Sequence, residues 1–248
     1  MAPPIRIGVL LPQGNLTCEQ EFPVIGAGLA SFHYQRLARQ GTAMSAASLL
    51  TLLEQVEPAA GMLALLRPRA YVLACTSGTF LQGAQAHDAA GQRLRTATGV
   101  PAITTASALL QACRALASRR VFMLTPYPPA ITAEEVDFLA AHEVDATRCL
   151  SLGCTDGEEI RQLTAARVYR ALTGARRQLR GADAVFLSCT NMPTWPFLAR
   201  AEAQLGVPVF SSNSVTAWAG LRLAGVGARL PGLGRLGALA LPDAALYA

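Results

Sequence analysis

Lysine is absent from this chain of 248 residues, so all 21 basic side chains are arginine. That excludes Schiff-base catalysis, pyridoxal phosphate held through lysine, and a phosphate-binding P-loop. Aromatic residues make up only 6%, so alanine, leucine and valine must fill the interior. Charged residues are scarce too, at 15% against 52% hydrophobic, which excludes a disordered or solvating chain. No apolar run approaches the ~20 residues that span a bilayer; the longest are Ile7 to Leu11, Gly61 to Leu66 and Tyr71 to Cys75. The first residues show too short an apolar stretch for a signal peptide and no small-residue cleavage pattern. Six cysteines in a chain of this length are too sparse for a disulfide scaffold. A cytoplasmic, reduced protein is the expectation. The net charge of +5 comes from scattered arginines, with Arg119-Arg120 and Arg176-Arg177 the only adjacent pairs. Without aromatic interleaving they do not read as a nucleic-acid surface, although an anionic small substrate fits them.

What is present is alternation. Short β-rich apolar runs are expected as strands over Arg6–Leu11, Phe32–Leu37, Ala70–Cys75, Ala102–Thr104, Arg120–Thr125, Asp145–Leu152, Ala184–Cys189 and Val207–Ser211. Helical periodicity separates them over Ala43–Glu57, Ala133–His142, Gly157–Leu179 and Thr194–Leu205. Such alternation predicts parallel sheet with right-handed crossovers. The chain also repeats itself. Arg6-Ile-Gly-Val-Leu-Leu-Pro12 aligns with Arg120-Val-Phe-Met-Leu-Thr-Pro126, and Val72-Leu-Ala-Cys75-Thr76 with Phe186-Leu-Ser-Cys189-Thr190, both about 114 residues apart. The second strands are expected at the same offset, whereas Gly99-Val-Pro101 and Gly206-Val-Pro208 lie about 107 apart. The predicted fold is therefore α/β with two pseudo-symmetric lobes, each a four-stranded parallel sheet flanked by helices. Residues 1–104 would form the N-terminal lobe, with 214–248 packing back on it, and 105–213 the C-terminal lobe.

In open parallel sheets ligands bind beyond the carboxyl ends of the strands. Cys75 and Cys189 sit there, each expected before a helix N-terminus whose dipole would lower the thiol pKa. Two small, buried, inert thiols are the alternative, since free cysteine is often buried. Thr76, Ser77, Thr190 and Asn191 follow the cysteines and suit an oxyanion or carboxylate. Asn15 follows the first strand and is a substrate donor or part of a turn capped at Thr17. Tyr127, wedged among prolines, is a proton donor, a carboxylate contact or packing. Asp156 reads as an N-cap, and Ser211 to Ser214 as a cap or a binding loop. Cys113 and Cys149 read as core, and neither Cys149 nor Cys154 has a histidine near enough in sequence for a zinc site. His33, His87 and His142 lie away from the expected strand ends, so no Cys–His pair is supported. G-x-G-x-x-G after a strand, G-x-S-x-G and H-E-x-x-H are all missing.

Taken together, Pro12-Gln-Gly-Asn15-Leu-Thr17-Cys18-Glu19, Ala74-Cys75-Thr76-Ser77, Thr125-Pro126-Tyr127 and Ser188-Cys189-Thr190-Asn191 carry a resemblance. The chain resembles the maleate cis-trans isomerase and arylmalonate decarboxylase group of the aspartate/glutamate racemase superfamily, over nearly its whole length. The resemblance implies a cofactor-free enzyme acting on a small dicarboxylate or carboxylic acid. Cys75 would add to the substrate double bond and Cys189 would move the proton; Asn15 and Tyr127 would hold carboxylates, with Thr76, Ser77, Thr190 and Asn191 completing the cradle. The decarboxylases typically keep only the second cysteine, so the pair points toward isomerase or racemase chemistry. Where the isomerases carry an asparagine, this chain has Gly157 after Asp156, which leaves the substrate open. Racemase, decarboxylase and a two-lobed binding module with structural cysteines remain as alternatives, and the reading leaves a homodimer open, with neither nucleic acid nor membrane expected as a partner.

Overall fold

The computed structural model describes residues 5–39, 41 and 45–248. The first four residues, and Ala43 and Met44 at the start of the first expected helix, lie outside the described residues. The strands are β1 (Ile5–Pro12), β2 (Ala30–Leu37), β3 (Ala70–Leu73), β4 (Ala102–Thr104), β5 (Val121–Thr125), β6 (Cys149–Ser151), β7 (Ala184–Leu187) and β8 (Val209–Ser211). They form two four-stranded parallel sheets of one topology, β2-β1-β3-β4 and β6-β5-β7-β8.

Register carries the internal repeat into three dimensions. Val9 faces Val72 in the first sheet, and Met123 faces Phe186 in the second, each residue 114 positions after its counterpart. Tyr71 faces Ala102 as Val185 faces Val209, so the last strand keeps its offset of 107. The second strand departs from expectation. Val9 faces Tyr34 but Met123 faces Cys149, not Arg148, so β6 has slipped one residue beyond the repeat. It is also shorter than the expected Asp145–Leu152, which keeps only an isolated bridge between Arg120 and Asp145 ahead of it.

The helices are α1 (Thr17–Ile25), α2 (Ala46–Leu50), α3 (Val56–Leu63), α4 (Thr76–Phe80), α5 (Ala89–Thr98), α6 (Thr105–Ala115), α7 (Pro129–Ala140), α8 (Gly157–Arg161), α9 (Ala165–Gly174), α10 (Leu198–Leu205) and α11 (Ser212–Leu223). Residues from Ala46 to Leu66 make one apolar helical stretch of 21 residues, with 3-10 turns between and after α2 and α3. It is long and apolar enough to cross a membrane by length and composition alone. Leu49, Leu52, Leu53, Val56, Ala59 and Ala60 are buried, however, and α3 packs on β1, β2 and α5, as a core helix does. The single long helix expected over Gly157–Leu179 is two, α8 and α9; Thr164 restarts it by accepting from Arg167 N at 3.2 Å.

The expected boundary after residue 104 falls between β4 and α6. Helix α6 stays against β4, α4 and α11, and α11 lies on β3 and β4 and beside α1. Gly220 permits that approach, because a Cβ there would stand 2.6 Å from Val72 Cγ1. Trp218 Nε1 donates to Leu239 O at 3.1 Å, and Gln111 Nε2 donates to Tyr247 Oη at 3.3 Å. These bonds lay the irregular C-terminal segment over α6 and α11.

Candidate active site

The carboxyl ends of both sheets open on one cavity of about 310 Å³, at the lower bound of the ~300 Å³ and upward typical of small-ligand sites. Asn15, Cys75, Thr76, Ser77, Tyr127, Cys189, Thr190 and Asn191 all line it. Residues 114 apart in sequence thus meet because each lobe delivers its strand ends to the same place.

Hydrogen bonds across the cleft fix this arrangement. Asn15 Nδ2 donates to Thr190 Oγ1 at 3.1 Å, while Asn15 Oδ1 accepts from Cys18 N at 3.0 Å. The side-chain cap expected at Thr17 is absent, the N-cap of α1 being Leu16, and Thr17 Oγ1 donates instead to Asn191 O at 3.0 Å. Asn191 Oδ1 accepts from Leu16 N at 2.9 Å, and its Nδ2 donates to Gly14 O at 3.3 Å. Thr190 Oγ1 donates to Ala74 O at 3.2 Å, beside the first thiol. Thr76 Oγ1 donates to Ser212 Oγ at 2.8 Å, and that same oxygen accepts from Cys189 N at 2.9 Å. Ser212 is the hub between the two cysteine loops. Ser211, its neighbour, closes a capping box with Ser214, so of the two expected roles for this loop the cap is the one Ser211 fills.

The cysteine loops are not conformational twins. Cys75 directly precedes α4 with an extended backbone. Cys189 instead holds a φ of +90°, a region that side-chain-bearing residues rarely adopt, and leads into a turn. No helix follows it at once; the 3-10 turn Trp195–Phe197 and then α10 begin only past Pro193, so the expected helix N-terminus at Cys189 is absent.

The electrostatic expectation reverses as well. Burial pushes the Cys75 thiol up to about 11, against the lowering effects of Gly78 N–H, the Arg39 charge and the Ser77 hydroxyl. It pushes Cys189 up to about 12, although Asn191 N–H and the Tyr127 hydroxyl both favour its thiolate. Desolvation outweighs the short helix, so both thiols rest neutral. Tyr127 is fully buried and its pKa is raised, first by burial and then by the Cys189 charge, so its hydroxyl stays protonated and donates toward Cys189.

Arg39, Arg161, Leu49 and Ile160 also line the cavity and escape a motif-based reading. Arg39 stands two residues past β2, a strand-end position that could have marked it. Arg161 arrives from α8, whose N-cap is Asp156 as expected, its Oδ1 accepting from Glu158 N at 2.8 Å and Glu159 N at 2.9 Å.

Two facing α/β lobes, each contributing one buried thiol to a shared cleft, define a racemase-like enzyme fold. A family model described as arylmalonate decarboxylase matches residues 7–237, and the chain belongs to that family. It is 36% identical to the arylmalonate decarboxylase of Bordetella bronchiseptica over 162 residues, 65% of this chain and 68% of that protein. It is also 29% identical to the maleate isomerase of Nocardia farcinica, over 93% of this chain and 94% of that one. A cysteine-to-serine mutant of the Nocardia enzyme with a covalently bound succinylcysteine intermediate superposes with a TM-score of 0.84 at 26% identity, covering 95% of this chain and 98% of that one. A cysteine-to-alanine variant of the Pseudomonas putida S16 maleate isomerase, with maleate, gives a TM-score of 0.87 at 25% identity, with 95% and 98% covered.

Proposed function

We propose that this protein is a cofactor-independent cis-trans isomerase of maleate or a close cis-dicarboxylate. The reading rests on one observation above all: both thiols line a single cavity, flanked by the neutral polar side chains Asn15, Thr76, Ser77 and Tyr127 and by Arg39 and Arg161. Hydrogen bonds to both carboxylates draw charge off the double bond between them and leave it electron-poor. The succinylcysteine adduct of the Nocardia isomerase is the species such chemistry would leave.

Cys75, its proton first released to water, attacks one alkene carbon as the thiolate; the S–C bond forms and the π pair moves onto the neighbouring carbon and its carboxylate. Cys189 gives its Sγ proton to that carbon, completing a succinyl thioether. The former double bond is now single and rotates. The Cys189 thiolate then takes the proton back, the pair re-forms the double bond in the trans arrangement, and the Cys75 thiolate leaves. Nothing is gained or lost overall. Tyr127, donating toward Cys189, stabilises its transient thiolate.

The Bordetella relative favours a second reading, in which a malonic acid loses CO₂ and Cys189 protonates the resulting carbanion. Proton NMR of the protein with maleate and, separately, an arylmalonate separates the two. The isomerase reading expects fumarate, abolished by Cys75→Ala and by Cys189→Ala. Release of CO₂ that survives Cys75→Ala, with no fumarate formed, would replace it.

A further inference from the structure

The cavity carries two arginines besides the neutral side chains named above. Arg39 and Arg161 converge on Gly157: a Cβ at this position would stand 3.5 Å from Arg161 Nη1 and 3.9 Å from Arg39 Nη2. Gly14, on the loop after β1, faces the same guanidinium, and a Cβ there would lie only 2.7 Å from Arg161 Nη1. Both glycines line the cavity. The side-chain-free positions therefore leave room for one guanidinium and for whatever it binds.

Arg161 has a committed edge and an open one. Its Nε donates to Glu158 Oε2 at 3.0 Å, and Nη2 donates to the same oxygen. Nη1, turned toward Gly14 and Gly157, donates to no atom among the described residues. Glu158 is more than half exposed, so water competes with its hold on the arginine. Asp156 accepts from two N–H groups of its own helix, and its charge also reaches Arg39. Arg39, half-buried, adds a second positive charge, and its Nε donates to Gly41 O at 3.3 Å. Leu49 and Ile160 supply apolar wall to the same cavity. A guanidinium edge next to a short apolar wall suits a carboxylate carried on a methylene.

We propose that Arg161, supported by Arg39, is a specificity-determining residue that takes a third carboxylate. The favoured substrate is then a cis-butenedioate bearing a carboxymethyl substituent, an ene-tricarboxylate, over the bare four-carbon diacid. This deepens the isomerase reading and rests on it for the reacting end of the cavity.

Calorimetric titration of the Cys75→Ser protein, in which thiol addition is blocked, tests it with three acids: cis-propene-1,2,3-tricarboxylate, maleate and methylmaleate. The tricarboxylate is expected to bind about tenfold more tightly than methylmaleate, as one charge-assisted contact gives. Adding Arg161→Gln should bring that ratio close to unity, Arg161→Lys should keep part of it, and Glu158→Gln should widen it. Equal affinities in the Cys75→Ser protein, undetectable tricarboxylate binding, or a ratio that Arg161→Gln leaves intact would each overturn the assignment. Maleate turnover by the unaltered protein is measured alongside. Its absence with the ratio preserved removes the isomerase reading and keeps Arg161 as the anion contact; its presence with no ratio does the reverse.

Discussion

Ser188 Oγ, one position before the second thiol, lies 2.7 and 2.8 Å from the two carboxyl oxygens of Glu135, a residue with no exposed surface. Burial raises the Glu135 pKa to about 8, and the Ser188 hydrogen bond only partly offsets it. The carboxyl is therefore neutral through most of the physiological range, and it underlies Cys189 without placing a full charge beside it.

Stability should report this directly. A carboxyl raised on folding contributes stability that is fully present below its ordinary pKa near 4.5 and is lost as pH climbs toward 8. The slope is at most about 1.4 kcal/mol per pH unit. Glu135→Gln keeps the shape and a hydrogen-bond donor but cannot ionise. Its melting temperature should match the unaltered protein near pH 5 and exceed it increasingly up to pH 8. Parallel curves would place Glu135 in contact with water.

Cys75 offers a kinetic counterpart. With its pKa near 11, alkylation by iodoacetamide should rise by about tenfold per pH unit from 8 to 10, followed on the Cys75 peptide by mass spectrometry. Arg39 lowers this pKa through its charge, so Arg39→Gln should slow the reaction at every pH below the plateau. A plateau already reached at pH 8 would mean a resting thiolate.

Much of this arrangement was legible before any coordinates. The repeat announced both sheets, and Cys75 and Cys189 stood out because each ends a continuous apolar strand. What stayed hidden depends on three-dimensional competition. The sign of the thiol pKa shifts follows from how completely α4 and its surroundings exclude water, which no motif encodes. The missing helix after Cys189 was written in Pro193 and Pro196, ahead of and within the stretch expected over Thr194–Leu205, where a 3-10 turn and α10 do form. Arg161 was invisible because its position comes from a break between α8 and α9 inside one periodic run. The one-residue slip of β6 lies at a sheet edge, where Arg148 and Cys149 are both partly exposed or exposed and hydrophobic patterning exerts little hold.

Packing of α11 on the first sheet gives a prediction independent of chemistry. Because a Cβ on Gly220 would meet Val72 Cγ1 at 2.6 Å, Gly220→Ala should destabilise by about 1–3 kcal/mol, less about 1 kcal/mol regained from helix propensity. Adding Val72→Ala should recover more than the two single changes imply, a coupling readable from urea denaturation as a double-mutant cycle. Additive effects would show that α11 shifts freely to accept the methyl group.

The backbone at Cys189 links stability to the proposed chemistry. A φ of +90° costs a side-chain-bearing residue about 1–3 kcal/mol, whereas glycine adopts it freely at an entropic cost of about 0.5–1 kcal/mol. Alanine keeps the strain and glycine relieves it, so Cys189→Gly should be more stable than Cys189→Ala by up to about 2 kcal/mol, measured by urea denaturation. Both should be equally inactive toward maleate, because both lack the thiol. If Cys189→Ala proved the more stable, the loop would have relaxed out of its positive φ. Strain here would have a chemical purpose. The turn that creates it points Asn191 N–H at Cys189 Sγ from 3.4 Å, beside the Tyr127 hydroxyl, and those two donors are what the buried sulfur needs when it holds a negative charge.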